Sequence, residues 1–388
     1  MEQLKSQLII DYNSVLFQKN PWPVYQQLRN HDPIHWSEHH RSFFLTKYKH
    51  IKQVFLDTEN FTTEHPFRTT RHLFGRTILD TDGEAHRNIR PIISDHLRPK
   101  AIQKNNLDLL AKDVAKNFVD RITPKQSFDF INEFAYKVPS AIIMEFLGLP
   151  ASDADEIYRI MRPIIRMMDD LDEDFIEAVS ASKDLYAYVE NAIQKDSSRG
   201  FIAHFMTALE NGKWDKDEMI RHVMLILTAT ETGSRMIGNT MALLLERKEE
   251  MKLAMVDKEY LKSVVLESLR FEPSLHSAIR ISKRDVLLED KMVPKGTFLV
   301  LLLGSANRDE DIYEHPDQWD PARKEKTNMT FSMGPHTCLG ANFGKVMLEE
   351  TFGCLFSRFH EIELAQAEPP VIQGKQFRGP EKLMLSFS

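Results

Sequence analysis

The chain has 388 residues, enough for one large core, although length alone would allow two or three domains. Its 57 acidic and 50 basic residues leave a formal charge of -7, which argues against nucleic acid as the main partner. Two cysteines exclude a disulfide framework and suit a reducing compartment. The opening residues Met1-Glu2-Gln3-Leu4-Lys5 lack the basic-then-apolar pattern of a signal peptide. The most apolar run, residues 298–306, falls far short of the roughly 20 residues that a membrane span needs. These features predict a cytoplasmic protein with no membrane span, and no repeat or low-complexity tract divides it.

Pro21 and Pro23 flank Trp22 and favour a helix start, because proline is tolerated in a first turn. Two short apolar runs, around Ile34-His35-Trp36 and Ser42-Phe43-Phe44-Leu45, surround a polar turn and predict a hairpin. Residues 61–79 read as a basic loop, with Arg68, Arg71, His72 and Arg76 among Phe67 and Phe74. Facing outward they are a solvated loop; facing inward they suit a substrate carboxylate or phosphate. Asp82-Gly83-Glu84 opens a helix on which His86 and Arg90 share a face, four positions apart. Pro91 directly follows and is expected to kink or shorten that helix.

Residues 101–209 are helix-rich, with 3.6-residue spacing in Leu107, Leu110, Val114 and Phe118 and again in Ile142, Phe146 and Leu149. Gly148 and Pro150 close one helix and Ser152 opens the next. Met161, Met167 and Met168 surround Pro163, which should interrupt; core packing explains the methionines better than a pocket wall does. Asp215 then caps a helix of about nine turns reaching residue 250, apolar through Met224-Leu225-Ile226-Leu227. Its middle is polar: Thr228-Ala229-Thr230-Glu231-Thr232-Gly233-Ser234-Arg235. Polar groups in a core-crossing helix cost free energy unless paired, and hydroxyls bonding back to carbonyls bend helices, so this stretch reads as functional.

Glu267 and Arg270 share a helix face three residues apart, and residues 296–306 read as a strand. The decisive stretch is Phe331-Ser332-Met333-Gly334-Pro335-His336-Thr337-Cys338-Leu339-Gly340, followed by a helix to about Phe359. One cysteine between two glycines, with an aromatic and a histidine at fixed offsets, suits a thiolate bound to haem iron. Gly334 and Gly340 would let the backbone approach a flat macrocycle, and N–H groups at the helix start would hold the sulfur ionised. Phe331 would pack on the proximal ring face and His336 would reach a propionate. Cys354 reads as a buried small apolar residue. Residues 370–388 predict a closing hairpin whose turn, near Phe377-Arg378-Gly379, reaches the pocket.

The loop resembles the haem-binding signature Phe-x-x-Gly-x-His/Arg-x-Cys-x-Gly of the cytochrome P450 family, soluble bacterial type, at every defined position. The resemblance runs from Asn20 onward through four motifs in the family's order. It implies a mainly α fold with small β-sheets over a single domain, residues 1–388, with haem b between a long central helix and the cysteine loop. By that resemblance Cys338 ligates the iron, while His86, Arg90, Arg280 and His336 hold propionates. Thr232 matches the alcohol that holds dioxygen, Glu231 the acid that relays protons, and both serve a dry site needing two protons. Glu267, Arg270 and Arg323 match the structural lock behind the haem, and residues 61–79 the pocket cover. The implied activity is hydroxylation or epoxidation of a small organic substrate, in secondary metabolism or catabolism, with O2 and a ferredoxin-type electron donor. Arg87, Arg98 and Lys345 would offer that donor a basic patch, or else form an ordinary solvated face.

The central helix departs from the family pattern. Ala229 stands where glycine is usual, and Thr228, four before Thr232, should point near the iron beside it. Arg235 needs a partner, either Glu231 or the substrate. These departures leave room for coupling, desaturation or peroxide-driven oxidation, or for a non-catalytic haem sensor.

Overall fold

The computed structural model describes residues 10–170 and 173–388, so residues 1–5, read above for a signal pattern, lie outside it. Among the described residues ten short strands stand among many helices: β1 (Ile34–Ser37), β2 (Ser42–Leu45), β3 (Phe61–Thr62), β4 (Phe128–Asp129), β5 (Ser277–Ser282), β6 (Val286–Leu288), β7 (Lys291–Val293), β8 (Phe298–Leu302), β9 (Ile362–Leu364) and β10 (Met384–Phe387). They form a five-stranded sheet in the order β1-β2-β8-β5-β3, a three-stranded sheet β4-β10-β9 and the hairpin β6-β7. The predicted first hairpin is present, with Ile34 opposite Leu45 and Ser37 opposite Ser42. β2 runs parallel to β8, joining sequence positions some 250 apart. The predicted closing hairpin is corrected: β10 pairs with β9 and β4, and residues 373–379 form only a small loop bridged between Gln373 and Gly379.

The helices build the core. Helix Ala341–Arg358, after the cysteine, packs against Leu107–Val119, and helices Lys137–Leu147 and Thr230–Leu245 cross nearby. Phe343, Phe352, Leu355, Phe134 and Ile237 are buried together there, and Met161 and Met167 join them as ordinary core residues. Neither interior proline ends its helix: Gly83–Ser94 runs through Pro91 and Ala154–Asp169 through Pro163. Gly148 ends its helix in the left-handed conformation (φ +88°), and a Cβ there would lie 2.4 Å from the Arg199 carbonyl oxygen. The next helix begins at Ala154, after a 3-10 turn containing Ser152.

The expected nine-turn central helix is two helices, Lys216–Thr228 and Thr230–Leu245, meeting at Ala229. Asp215 caps the first, as the sequence predicts, and Glu218 returns the contact to complete a capping box. The break follows from the threonines. Thr228 Oγ1 donates to Leu225 O (2.8 Å), Thr230 Oγ1 to Leu227 O (2.8 Å) and Thr232 Oγ1 to Ala229 O (2.9 Å), and such back-bonding loosens the helical ladder. The second helix ends at Leu245, and residues 248–256 form a separate one.

Candidate active site

The cysteine loop is a closed turn. Cys338 N–H donates to Phe331 O (2.9 Å), Ser332 Oγ to His336 O (2.9 Å) and Thr337 Oγ1 to Gly334 O (2.8 Å). Ser332 and Gly334 both carry positive φ (57° and 72°). The close approach at Gly334 differs from expectation: a Cβ there would meet the Phe55 carbonyl oxygen at 2.8 Å, so this glycine seats the loop on helix Tyr48–Leu56. At Gly340 a Cβ would meet nothing within 4 Å, and Phe331 lies half-buried against the main core.

Cys338 itself is surface-accessible although protein surrounds it, so its sulfur faces an opening inside the molecule. Burial pushes its thiol up, while the Gly340 N–H, the Arg90 guanidinium and the Ala341 N–H draw it back toward the thiolate. Above, a Cβ on Gly233 would fall 2.7 Å from Met347 Cε, which places the turn after Thr232 over the helix that follows the cysteine. Ala229 is accessible between buried neighbours, and Thr232 is half-exposed. Thr228 is buried, with its hydroxyl turned back on the Leu225 carbonyl.

Glu231 is 2 % exposed, and its Oε1 accepts from Arg235 Nε at 2.7 Å, so the partner that Arg235 required is Glu231. Burial alone would draw the Arg235 guanidinium down, but Glu231, Tyr136 and Asp169 hold it above its ordinary value.

A second cluster gathers cations beside the loop. The His86 and His336 rings lie tilted against each other with centroids 4.2 Å apart, and among the described residues His86 Nε2 is buried without a partner. Burial first, then His336 and Arg90, push His86 down to about 4. Arg90 donates to Thr337 O (2.7 Å), and Arg280 donates to Ile279 O (2.8 Å) over the Phe55 ring. Among the described residues neither guanidinium has a carboxylate partner, and burial lowers Arg280 to about 10. Sequence reasoning missed Asp82. Its carboxylate leaves the helix end uncapped and instead accepts from His336 Nε2 (2.7 Å), Thr62 Oγ1 and Thr63 N–H (3.0 Å). These bonds outweigh burial and hold it well below the carboxylate range. His65 was also missed. It is buried, and burial with Arg68 nearby lowers it to about 4.

The basic loop gives little support to an anionic substrate. Arg68 does face inward, but Asp80 (3.1 Å) and Thr63 (2.7 Å) occupy it, while Arg76 pairs with Glu64 at the surface. The Glu267–Arg270–Arg323 lock is assembled as expected: Glu267 Oε1 receives Arg270 Nη2 at 2.7 Å and Arg323 Nε at 3.4 Å.

A family model described as Cytochrome P450 matches residues 9–387. The chain belongs to the cytochrome P450 family. It is 28% identical over 379 residues to cytochrome P450 133B1 of Xylella fastidiosa, covering 93% of this chain and 94% of the relative. It is 24% identical over 390 residues to pulcherriminic acid synthase of Bacillus subtilis, with 96% of each covered. Its fold matches the crystal structure of CalO2 with a TM-score of 0.90, at 24% identity, over 98% of this chain and 99% of that one. This P450 is therefore an oxidoreductase, a monooxygenase by family, and its cofactor is haem b. The residues present fit that group. An accessible sulfur with two backbone N–H donors suits the iron, and two guanidinium groups without carboxylate partners, with His86 beside them, suit a dianionic macrocycle. Among the described residues no helix is long and apolar enough to cross a membrane.

Proposed function

We propose that this P450 inserts one oxygen atom into a small organic substrate, by hydroxylation or epoxidation, with O2 and electrons from a ferredoxin-type donor. The observation that carries the reading is an adjacent acid and alcohol, Glu231 and Thr232, just beyond the break in a core-crossing helix. Haem b bound through Cys338 supplies the chemistry that activates dioxygen. Around it, the N–H groups of Gly340 and Ala341 counter the burial that raises the thiol and so favour the anionic sulfur, and Phe331 packs on the proximal side. Arg90, Arg280, His86 and His336 anchor the propionates, with Asp82 fixing the His336 ring. Accessible Ala229 shapes the opposite wall, with buried Thr228 behind it. Thr232 orients a hydrogen bond into the site, and Glu231 brings protons to it from a place that excludes bulk water. Exposed Arg87 and half-buried Lys345 form the donor's docking patch; Arg98 contributes less, since Asp95 pairs with it at 2.8 Å. The similarity to an enzyme named for a biosynthetic product supports a role in secondary metabolism.

Screening compounds for displacement of iron-bound water, read from the haem absorption band, finds the substrate, and turnover under labelled dioxygen tests the reaction. One labelled oxygen per product is expected, and Thr232→Ala should divert reducing equivalents to peroxide. Unlabelled product, or a Thr232→Ala enzyme as well coupled as its parent, refutes the assignment.

A further inference from the structure

Glu231 is nearly sealed from solvent, so each proton it hands on needs a replacement. Its ion-pair partner cannot be the source: a guanidinium keeps its protons throughout the working range, so Arg235 orients the carboxylate without feeding it. Phenols both donate and accept, and two lie next in line. The Arg235 guanidinium carbon sits 5.8 Å from the Tyr136 ring centre, and Tyr136 contacts Tyr158 with centroids 5.0 Å apart. Tyr158 in turn takes a hydrogen bond from Arg162 Nη1 (3.0 Å), and Arg162 is exposed. These side chains lie side by side between the surface at Arg162 and the buried acid.

The Tyr136 side chain is 4 % exposed, yet its hydroxyl has no hydrogen-bond partner among the described residues and is not fully enclosed. The same holds for Glu231 Oε2, since Arg235 occupies Oε1. A buried hydroxyl left unpaired by protein is costly, and a water or a facing acid satisfies it. Burial, and then the Glu231 charge, raise the Tyr136 phenol, so it stays neutral and passes protons without holding charge.

We propose that Tyr136, backed by Tyr158, returns protons to Glu231 from the solvent face at Arg162, with Arg235 as the positioning residue. The inference rests on Glu231 being the proton-relaying acid of the monooxygenase. In each step the Tyr136 O–H bond breaks as its proton passes across one water, whose own proton goes on to Glu231 Oε2. A new O–H bond forms on Tyr136 with a proton from the Tyr158 hydroxyl or an adjoining water, which solvent restores. No electron moves in the relay, and both phenols end as they began. Monooxygenation consumes two protons and two donor electrons per O2, and one oxygen leaves as water.

The test uses substrate-free holoenzyme driven by NADPH through a plant-type ferredoxin and its reductase. It records oxygen uptake, peroxide released per NADPH and the solvent isotope effect for the parent, Glu231→Gln, Tyr136→Phe, Tyr158→Phe and, as a surface control, Tyr186→Phe. The Tyr186 hydroxyl bonds Asp217 at 2.6 Å in the open. Loss of the relay slows uptake by about 10- to 100-fold in Tyr136→Phe, raises the peroxide fraction and enlarges the isotope effect, less so in Tyr158→Phe and not at all in Tyr186→Phe. Infrared spectroscopy supplies a readout independent of turnover. The carboxylate band missing in Glu231→Gln should shift in Tyr136→Phe, where ring packing is kept and only the hydroxyl is lost. If Glu231→Gln is impaired while Tyr136→Phe matches the parent in rate, isotope effect and infrared band, the relay is wrong and the acid stands. If Glu231→Gln itself behaves as the parent, the acid's role falls and the relay falls with it.

Discussion

Helix Lys258–Phe271 carries two ion pairs of the same spacing and length in opposite surroundings, which gives a test with its own control. Glu259 and Lys262 meet at 2.6 Å with side chains 80% and 48% exposed; Glu267 and Arg270 meet at 2.7 Å with side chains 3% and 2% exposed. Glu267 accepts four hydrogen-bond contacts: Arg270 Nε (2.9 Å) and Nη2 (2.7 Å), Asp320 N–H (2.9 Å) and Arg323 Nε (3.4 Å). Those arginines in turn hold the carbonyls of Asn307, Pro316, Gln318 and His315, the chain that leads into the cysteine loop. Glu267→Gln preserves shape but leaves two buried guanidinium groups facing a neutral amide, so a loss of about 3–5 kcal/mol is expected. Glu259→Gln should lose no more than about 0.5 kcal/mol. With an unfolding entropy near 2.1 cal/mol/K per residue, 388 residues make each kcal/mol worth about 1.2 °C, so the two variants should melt about 4–6 °C and under 1 °C below the parent. Matched urea titrations and melts on haem-loaded protein supply the comparison, and the carbon monoxide spectrum reports whether the thiolate survives. Equal losses in the two variants, or a loss below about 1 kcal/mol at Glu267, would show that burial does not set the worth of this pair.

Acid should weaken the fold through His222. Its Nδ1 sits 2.6 Å from Glu218 O while Nε2 accepts the Ile78 N–H at 3.0 Å, so the neutral ring fits and a second proton would face a donor. Burial lowers the group to about 4, so the unfolded chain takes up protons first; stability is full above about pH 6.5 and falls by about 3 kcal/mol toward pH 4. Urea midpoints measured across that range should decline, and a His222→Gln variant with an undiminished slope would assign the decline elsewhere. Gly148→Ala should cost about 2 kcal/mol or more by the same titration, because its left-handed backbone and the Arg199 carbonyl both exclude a methyl group; a neutral outcome would mean that the turn readily opens.

The arrangement of several candidate site residues was legible because it is written in local spacing. The cysteine loop, the acid–alcohol pair and the Glu267–Arg270 face each occupy a few consecutive positions, and their roles in the fold follow from offsets. What stayed hidden depends on partners far away in sequence. Asp82 read as an acidic residue at a helix start, since nothing nearby reveals that its carboxylate turns to His336, 254 residues on. His65 lay in a loop with no period to read. The central helix looked unbroken because threonine propensity shows no single break point; only the sum of three back-bonds at Thr228, Thr230 and Thr232 sets it at Ala229. Pro91 and Pro163 erred the other way, as packing on buried Ile92, Ile93, Ile164 and Ile165 carries each helix across a missing N–H.

The bonds that tie the cysteine loop to helix Gly83–Ser94 span 247 residues at Arg90 and 254 at His336. Chain closure over such distances comes late in folding. A ribosome will therefore have delivered that helix, with its cationic face bare, long before the sulfur that completes the nest emerges. On the proposed role of Cys338, cofactor capture waits for that loop, and a product truncated before it lacks the sulfur assigned to the iron.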